Sequence, residues 1–504
     1  MLAPACAAGI LAGPAPASAF SLDDVTARAL ALSREEYRDH RAPVPKWMLT
    51  GSMTYDQWRD IRFNPERSLW RKDALPFQVQ FFHPGLYYDR TVAVSTVDKT
   101  GVHAVPFDIG SFDYGQNDFA SRIPKDIGFA GIRIHAPMRN PGYFDELVVF
   151  LGATYFRALG RDNVYGLSAR GIAINTVEPS GEEFPHFVEF WLETPTPDAK
   201  DLVILALMEG PSITGAYRFD VRPGERTVID VASRLFPRRP IGKLGIAPLT
   251  SMFFFGESSR RRFDDFRPEV HDSDGLLLHF ENGEWLWRPL DNPKRVNASS
   301  LHMRNPRGFG LLQRDRDFVH YLDDGVFYER RASTWVEPLG NWGDGAVHLL
   351  EIPTDDEIHD NIAAYWCPAG IFKAGEQRTY RYKLSWLDDI AFPESVARAT
   401  ATWTGLGGRP GHKRPAGVRK FVIDFQGQPF AGLGRNDGVE LVVTPSRGSL
   451  GTAYNHPVVD QRERWRAVFD LEAHGPEPVD IRAFLQRNGQ ALTETWIYQY
   501  FPED

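Results

Sequence analysis

Three neighbouring runs decide the fold: HFVEFWLE (186–193), DLVILALMEG (201–210) and YRFDV (217–221). Each is short and rich in Val, Ile, Leu, Phe, Trp or Tyr, the residues that fit a pleated and half-buried surface. Working outward, PFQVQFF (76–82) shows the period most plainly, since Phe77, Val79 and Phe81 fall on one face of an extended chain. ELVVFLGATYFRAL (146–159) and TYRYKLSWLDD (379–389) have the same texture. Gly and Pro punctuate the runs as HPG, NPG, RPG, DDG and NGE. Many short strands joined by such turns predict an all-β sandwich, and no βαβ alternation appears.

The 504 residues exceed one ordinary core, so two domains are expected. Beyond residue 417, KFVIDFQG, GVELVVTP, WRAVFDLEA, VDIRAFLQRNG and TETWIYQY recur at short spacing. This pattern predicts an immunoglobulin-like sandwich over 418–504, without the Cys-Trp-Cys core of antibody domains. The main β domain then spans 20–390. Between them, 391–417 reads as a linker or loop. In it ESVARATATW (394–403) is a short helix or connector, and GLGGRPGHKRPAG (405–417) is a basic loop able to act as a lid. Helices are expected at 21–38, capped by Ser21 with Asp23 and Asp24 in the first turn, and at 54–61, capped by Thr54.

The first 19 residues carry no charged side chain and end Ala17-Ser18-Ala19. They read as the hydrophobic and cleavage regions of an export signal, without the basic segment that normally precedes them. No other segment is long and apolar enough to span a bilayer, so no stable membrane insertion is expected. Cys6 falls in the signal, and Cys367 then stands alone as a small residue filling space beside Trp366. The net charge of −9 and the scattered basic residues argue against a nucleic-acid partner. Aromatic residues make up 13% of the chain. That suits both a large β core and stacking platforms for sugar rings.

Two acidic stretches stand out. EIPTDDEIHDNIAAYW (351–366) gathers Glu351, Asp355, Asp356, Glu357 and Asp360 ahead of an apolar-aromatic run. RPEVHDSDGLLLHF (267–280) places Glu269, Asp272 and Asp274 ahead of another. A carboxylate at the border of solvent and an apolar pocket has a raised pKa, and two such groups facing one cleft are what glycoside chemistry needs. A nucleophile elbow, a dinucleotide fingerprint, a Walker motif and H-E-x-x-H are all missing. The histidines 271, 279, 302, 320, 348 and 359 show no metal-ligand spacing. Neither a metal nor another cofactor is expected.

Several segments together resemble the periplasmic (osmoregulated) glucan biosynthesis G/D family, more closely the D type. They are VPFDIGSFDYGQNDF (105–119), YFRALGRDNVYGLSARGIAINT (155–176), PLTSMFFFGE (248–257), RPEVHDSDGLLLHFENGEWLWRPLDNP (267–293), FGLLQRDRDFVHYLDDGVFYERRASTWVEP (309–338) and EIPTDDEIHDNIAAYW (351–366). The resemblance implies a large galactose-mutarotase-like β-sandwich followed by an immunoglobulin-like one. It implies a periplasmic enzyme acting on the β-1,2-glucan backbone, by inverting endo-cleavage or by transglycosylation to cyclic products, and leaves that choice open. It also implies Asp360 as the general acid and Asp272 on the base side, with protons passing partly through substrate hydroxyls and ordered water.

Around these two, His271 is expected to hydrogen-bond Asp272, and Glu357 to raise the pKa of Asp360 by like-charge repulsion. Tyr328 and Arg330, alternating on one strand face of VFYER, and Asp113-Tyr114 in a glycine-bounded turn are expected to bind sugar. The loop 405–417 is expected to close over a subsite, in one arrangement from a partner subunit of a homodimer. The rival reading is a non-catalytic glucan-binding factor serving a membrane synthase.

Overall fold

The alternating runs become strands of two facing sheets. In the computed structural model, which describes residues 20–39 and 44–502, a ten-stranded and a fifteen-stranded sheet dominate. The export-signal reading of residues 1–19 lies outside the described residues. His186–Glu193, Leu202–Glu209 and Ile213–Arg222 form consecutive antiparallel strands of the larger sheet, followed by Thr227–Pro237 and Arg378–Leu387. In Ile213–Arg222, Tyr217, Phe219 and Val221 point into the main core while Arg218 and Asp220 point out. Gln78–Phe82 lies at the edge of the smaller sheet, and Phe77, Val79 and Phe81 enter the same core. Burial of apolar area at about 25 cal/mol per Å² holds the two faces together.

Both short helices form at their predicted caps. Ser21 and Asp24 make a reciprocal capping box for Leu22–Ser33, and Thr54 and Gln57 do the same for Tyr55–Arg59. The first helix buries Val25 and Ala29 against Trp191, Leu205, Leu207 and Ala216, on the outer face of the larger sheet. Thr214 Oγ1 donates to the Ala29 carbonyl at 2.7 Å and fixes its azimuth.

The C-terminal sandwich pairs Val439–Pro445, Val479–Arg487 and Thr495–Tyr500 against a four-stranded sheet. The first strand of that sheet is Arg398–Leu406, in register with Val418–Gln426. The segment read as helix or connector is therefore strand from Arg398 onward, and the inter-element loop shrinks to 407–417. Ser449–Pro457, which the sequence reading passed over, completes the sheet. Phe421, Phe425, Trp465, Phe469 and Trp496 fill this second core. Thr495–Tyr500 also pairs in parallel with Trp285–Pro289, so one continuous sheet runs through both sandwiches. Cys367 is half-buried on the strand Ile362–Pro368, next to fully buried Trp366.

Candidate active site

The smaller sheet turns one face to the core and the other to a cleft. On Tyr155–Ala158, Phe156 and Ala158 enter the core, so Tyr155 and Arg157 project outward. By the same alternation Ser168 and Arg170 project outward from either side of Ala169. Tyr155, Arg157 and Ser168 meet Asp360 there and, with Tyr88 and Arg90, border a cavity of about 370 Å³, while Arg170 acts on Asp360 by its charge alone.

Asp360 owes its place to the next residue. Asn361 is buried; its Oδ1 accepts from the Phe253 N–H at 2.8 Å, and its Nδ2 donates to the carbonyls of Phe253 and Ile352. The Asn361 backbone N–H donates to Ser251. Three of these hydrogen bonds pin the mouth of the 352–361 turn to the neighbouring strands, and the one to Ile352 closes it. The Asp360 side chain keeps an exposed surface, but the surrounding protein withholds enough water to push its carboxyl up, while Arg157 and Arg170 oppose the shift.

Asp272 follows the short strand Val270–His271, and its N–H donates to the Met252 carbonyl at 2.8 Å. Its carboxyl is buried, and Oδ1 accepts no hydrogen bond. Burial pushes it up to about 6; Arg331 pulls it down, and the charge of Asp360 pushes it up again. The charge of Asp360 thus reaches the Asp272 carboxyl, although Asp272 does not itself border the Asp360 cavity. Gly166 makes the Asp272 pocket possible: a Cβ there would stand 3.2 Å from Arg331 and 3.4 Å from the Asp272 Cβ.

The surroundings differ from the sequence expectation in physically clear ways. His271 does not reach Asp272, because adjacent residues of an extended chain point to opposite sides. Its Nε2 meets Glu269 at 2.9 Å and Asp274 at 3.3 Å. Its Nδ1 donates to Gln313 Oε1, whose amide nitrogen in turn donates to the His271 and Tyr328 carbonyls. Burial alone would push His271 down, but Asp274, Glu269 and Asp315 outweigh it and leave it at about 9. Glu357 does not sit over Asp360. It accepts from the Tyr328 hydroxyl at 3.2 Å and pairs with Arg267 at 2.8 Å.

VFYER is not a strand. Phe327 takes a left-handed backbone (φ 56°), and Tyr328–Arg330 form a 3-10 turn. The turn buries Tyr328 beside Asp272 and aims Arg330 at the Asp162 carbonyl. Arg331, one residue later, takes the place expected of Arg330. Asp113 caps a turn through the Gly115 N–H, and the Tyr114 hydroxyl meets His83 at 3.2 Å. Neither borders the Asp360 cavity. The Gly408 N–H ties the loop 407–417 to Asp470 of its own sandwich, and Arg414 donates to the Gly407 carbonyl within the loop.

Among the described residues, two clusters could hold a cation: Glu269–His271–Asp274 and Glu269–Asp315–His320. The first lies within the single stretch 269–274, and only the second joins separate segments. The hydrogen bonds already present give them another task. His271 Nε2 meets Glu269 and Asp274 while Nδ1 meets Gln313, and these contacts brace the strand that leads to Asp272.

Known proteins resemble this chain along its whole described length. Residues 20–500 match the family model described as periplasmic glucan biosynthesis protein, MdoG. The chain belongs to the MdoG family. It is 44% identical over 501 residues to the probable glucans biosynthesis protein D of Shewanella oneidensis, covering 99% of this chain and 92% of that one. It is 45% identical over 495 residues to the glucans biosynthesis protein G of Ralstonia nicotianae, covering 97% of each. Membership supports a role in periplasmic glucan synthesis. Among the described residues, no helix is long and apolar enough to cross a membrane.

Proposed function

We propose that the protein is a periplasmic enzyme acting on the β-1,2-glucan backbone, by anomer-inverting endo-cleavage or by transglycosylation to cyclic glucans. The observation that carries this reading is the pair of carboxyls Asp272 and Asp360, both pushed up chiefly by burial, with the charge of Asp360 reaching Asp272. Asp360 gives its proton to the glycosidic oxygen as the bond to the anomeric carbon breaks. Asp272, ionised above about pH 6, takes a proton from the incoming water or sugar hydroxyl, directly or through a substrate hydroxyl. Sugar entering the cleft removes further water and pushes Asp360 higher, toward a working acid. Tyr155 and Tyr88 offer ring surface to the sugar, and Arg157 and Arg90 offer donors to its hydroxyls.

Incubation with linear β-1,2-glucan tests the reading. New reducing ends mark hydrolysis, and products one water lighter by mass spectrometry mark cyclisation. Asp360→Asn and Asp272→Asn should each abolish turnover and leave glucan binding in place. Binding without any product from the wild type would move the protein to the rival role of a glucan-holding factor.

A further inference from the structure

A second groove lies on the opposite face of the sandwich from the cleft. On Ser333–Pro338, Val336 enters the core, so Trp335 projects from the outer face of the larger sheet. The neighbouring strand Gly308–Leu312 carries glycine at the two positions facing it. A Cβ at 308 would collide with the six-membered ring of Trp335, and one at 310 would strike the Thr334 carbonyl and stand 3.0 Å from the Trp335 Cε3. The two glycines let the indole lie flat on the sheet. Trp285 continues the floor, its ring 5.9 Å away and tilted by 28°, and His279 stacks on Trp285 at 3.9 Å.

The floor lies in an open groove of about 690 Å³, within the range of about 300–1,000 Å³ for small-molecule sites. Its rim carries Arg226, Arg307 and Asn341 as donors and Glu281 and Glu337 as acceptors. Glu337 is tied to Lys383 at 3.6 Å, and Asn305 donates to Glu281 at 3.0 Å. A flat apolar floor with a rim of both signs suits a neutral ring that has C–H faces and hydroxyls at its edge. A charged ligand would call for a rim of one sign, and a protein partner for a far larger apolar patch.

We infer that this groove is a non-catalytic binding site for a pyranose segment of the glucan, with Trp335 as its platform. The choice of glucan rests on the function proposed above. Because cleft and groove lie on opposite faces, a short oligosaccharide cannot occupy both. A long chain held at the groove raises the local concentration of its remaining length near the cleft.

Calorimetric titration of Asp360→Asn protein with linear β-1,2-glucan is expected to show two binding events. Adding Trp335→Ala should weaken one at least tenfold, about 1.4 kcal/mol. In the otherwise native protein, Trp335→Ala should raise the KM for long glucan severalfold and leave kcat and the kinetics on short oligosaccharides within twofold. Arg307→Ala/Asn341→Ala alters the rim without touching the indole–glycine packing and should act in the same direction, so a Trp335→Ala protein that fails to fold does not decide the matter. Unchanged titrations and unchanged KM in the rim variant overturn the inference while leaving the proposed function intact. A wild type that neither binds nor cuts β-1,2-glucan overturns both.

Discussion

The Nε of Arg331 stands 3.4 Å from Oδ1 of Asp272, and the same guanidinium lies over the Tyr328 ring, 5.1 Å from its centroid. This cation is the strongest influence holding the buried carboxyl down. Arg331→Ala should therefore push Asp272 above about 6, protonate it near neutrality and lower kcat/KM at pH 7 at least tenfold. A pH–rate series should show the acidic limb moving to higher pH, with activity partly recovered in alkaline buffer.

The same carboxyl gives a test of its role. As a base, Asp272 must be ionised, so kcat/KM should fall as pH drops through about 6. Activity falling as pH rises through about 6 would make it the proton donor instead and reverse the two assignments.

Asp272 also costs stability. Its folded pKa lies above its unfolded value of 3.8, so the folded state favours the proton. The penalty is absent below about pH 4 and complete above about pH 6, where it reaches about 3 kcal/mol. Asp272→Asn should raise Tm at pH 7.5, have little effect at pH 4, and be inactive at both. Differential scanning calorimetry at the two pH values checks this.

His271 behaves in the opposite sense. Its folded pKa of about 9 lies above its unfolded 6.5, so its contribution is complete below about pH 6.5 and is lost as pH rises through 9. His271→Ala leaves Glu269 and Asp274 without their shared cation and should cost about 3–5 kcal/mol in chemical denaturation at pH 6. The difference from wild type should narrow above pH 9.

Asn361→Ala removes the side chain that joins Phe253 to Ile352 and leaves buried backbone groups unpaired, at a cost of about 2–4 kcal/mol. Because the turn then loosens beside Asp360, kcat should fall more than KM rises. Glu357→Gln, by contrast, weakens the Arg267 pairing without shifting the pH dependence that Asp360 imposes.

The strand at 217–221 was readable because one face is apolar and the other polar, and the one at 201–210 because it is a short run apolar on both faces, its outer side covered by the first helix. Arg398–Leu406 was not, because its Ala and Thr residues give weak alternation and only pairing with Val418–Gln426 makes it a strand. Ser449–Pro457 is exposed over most of its length and so leaves no apolar trace. Asp272 and Asp360 came from resemblance, while the residues that tune them are set by geometry. The left-handed Phe327 opens the 3-10 turn after which Arg331, not Arg330, meets Asp272. Arg157 and Arg170 lay within reach of period-two reading, since each neighbours a core alanine on its strand.

The parallel pairing of Leu286 and Trp287 with Thr495 and Trp496 joins strands far apart in the sequence. Such distant pairing makes assembly slow. It also ties the two sandwiches into one cooperative unit, so heat should melt them in a single transition, and losing the final strand should expose the Trp285–Pro289 edge to pairing with other chains.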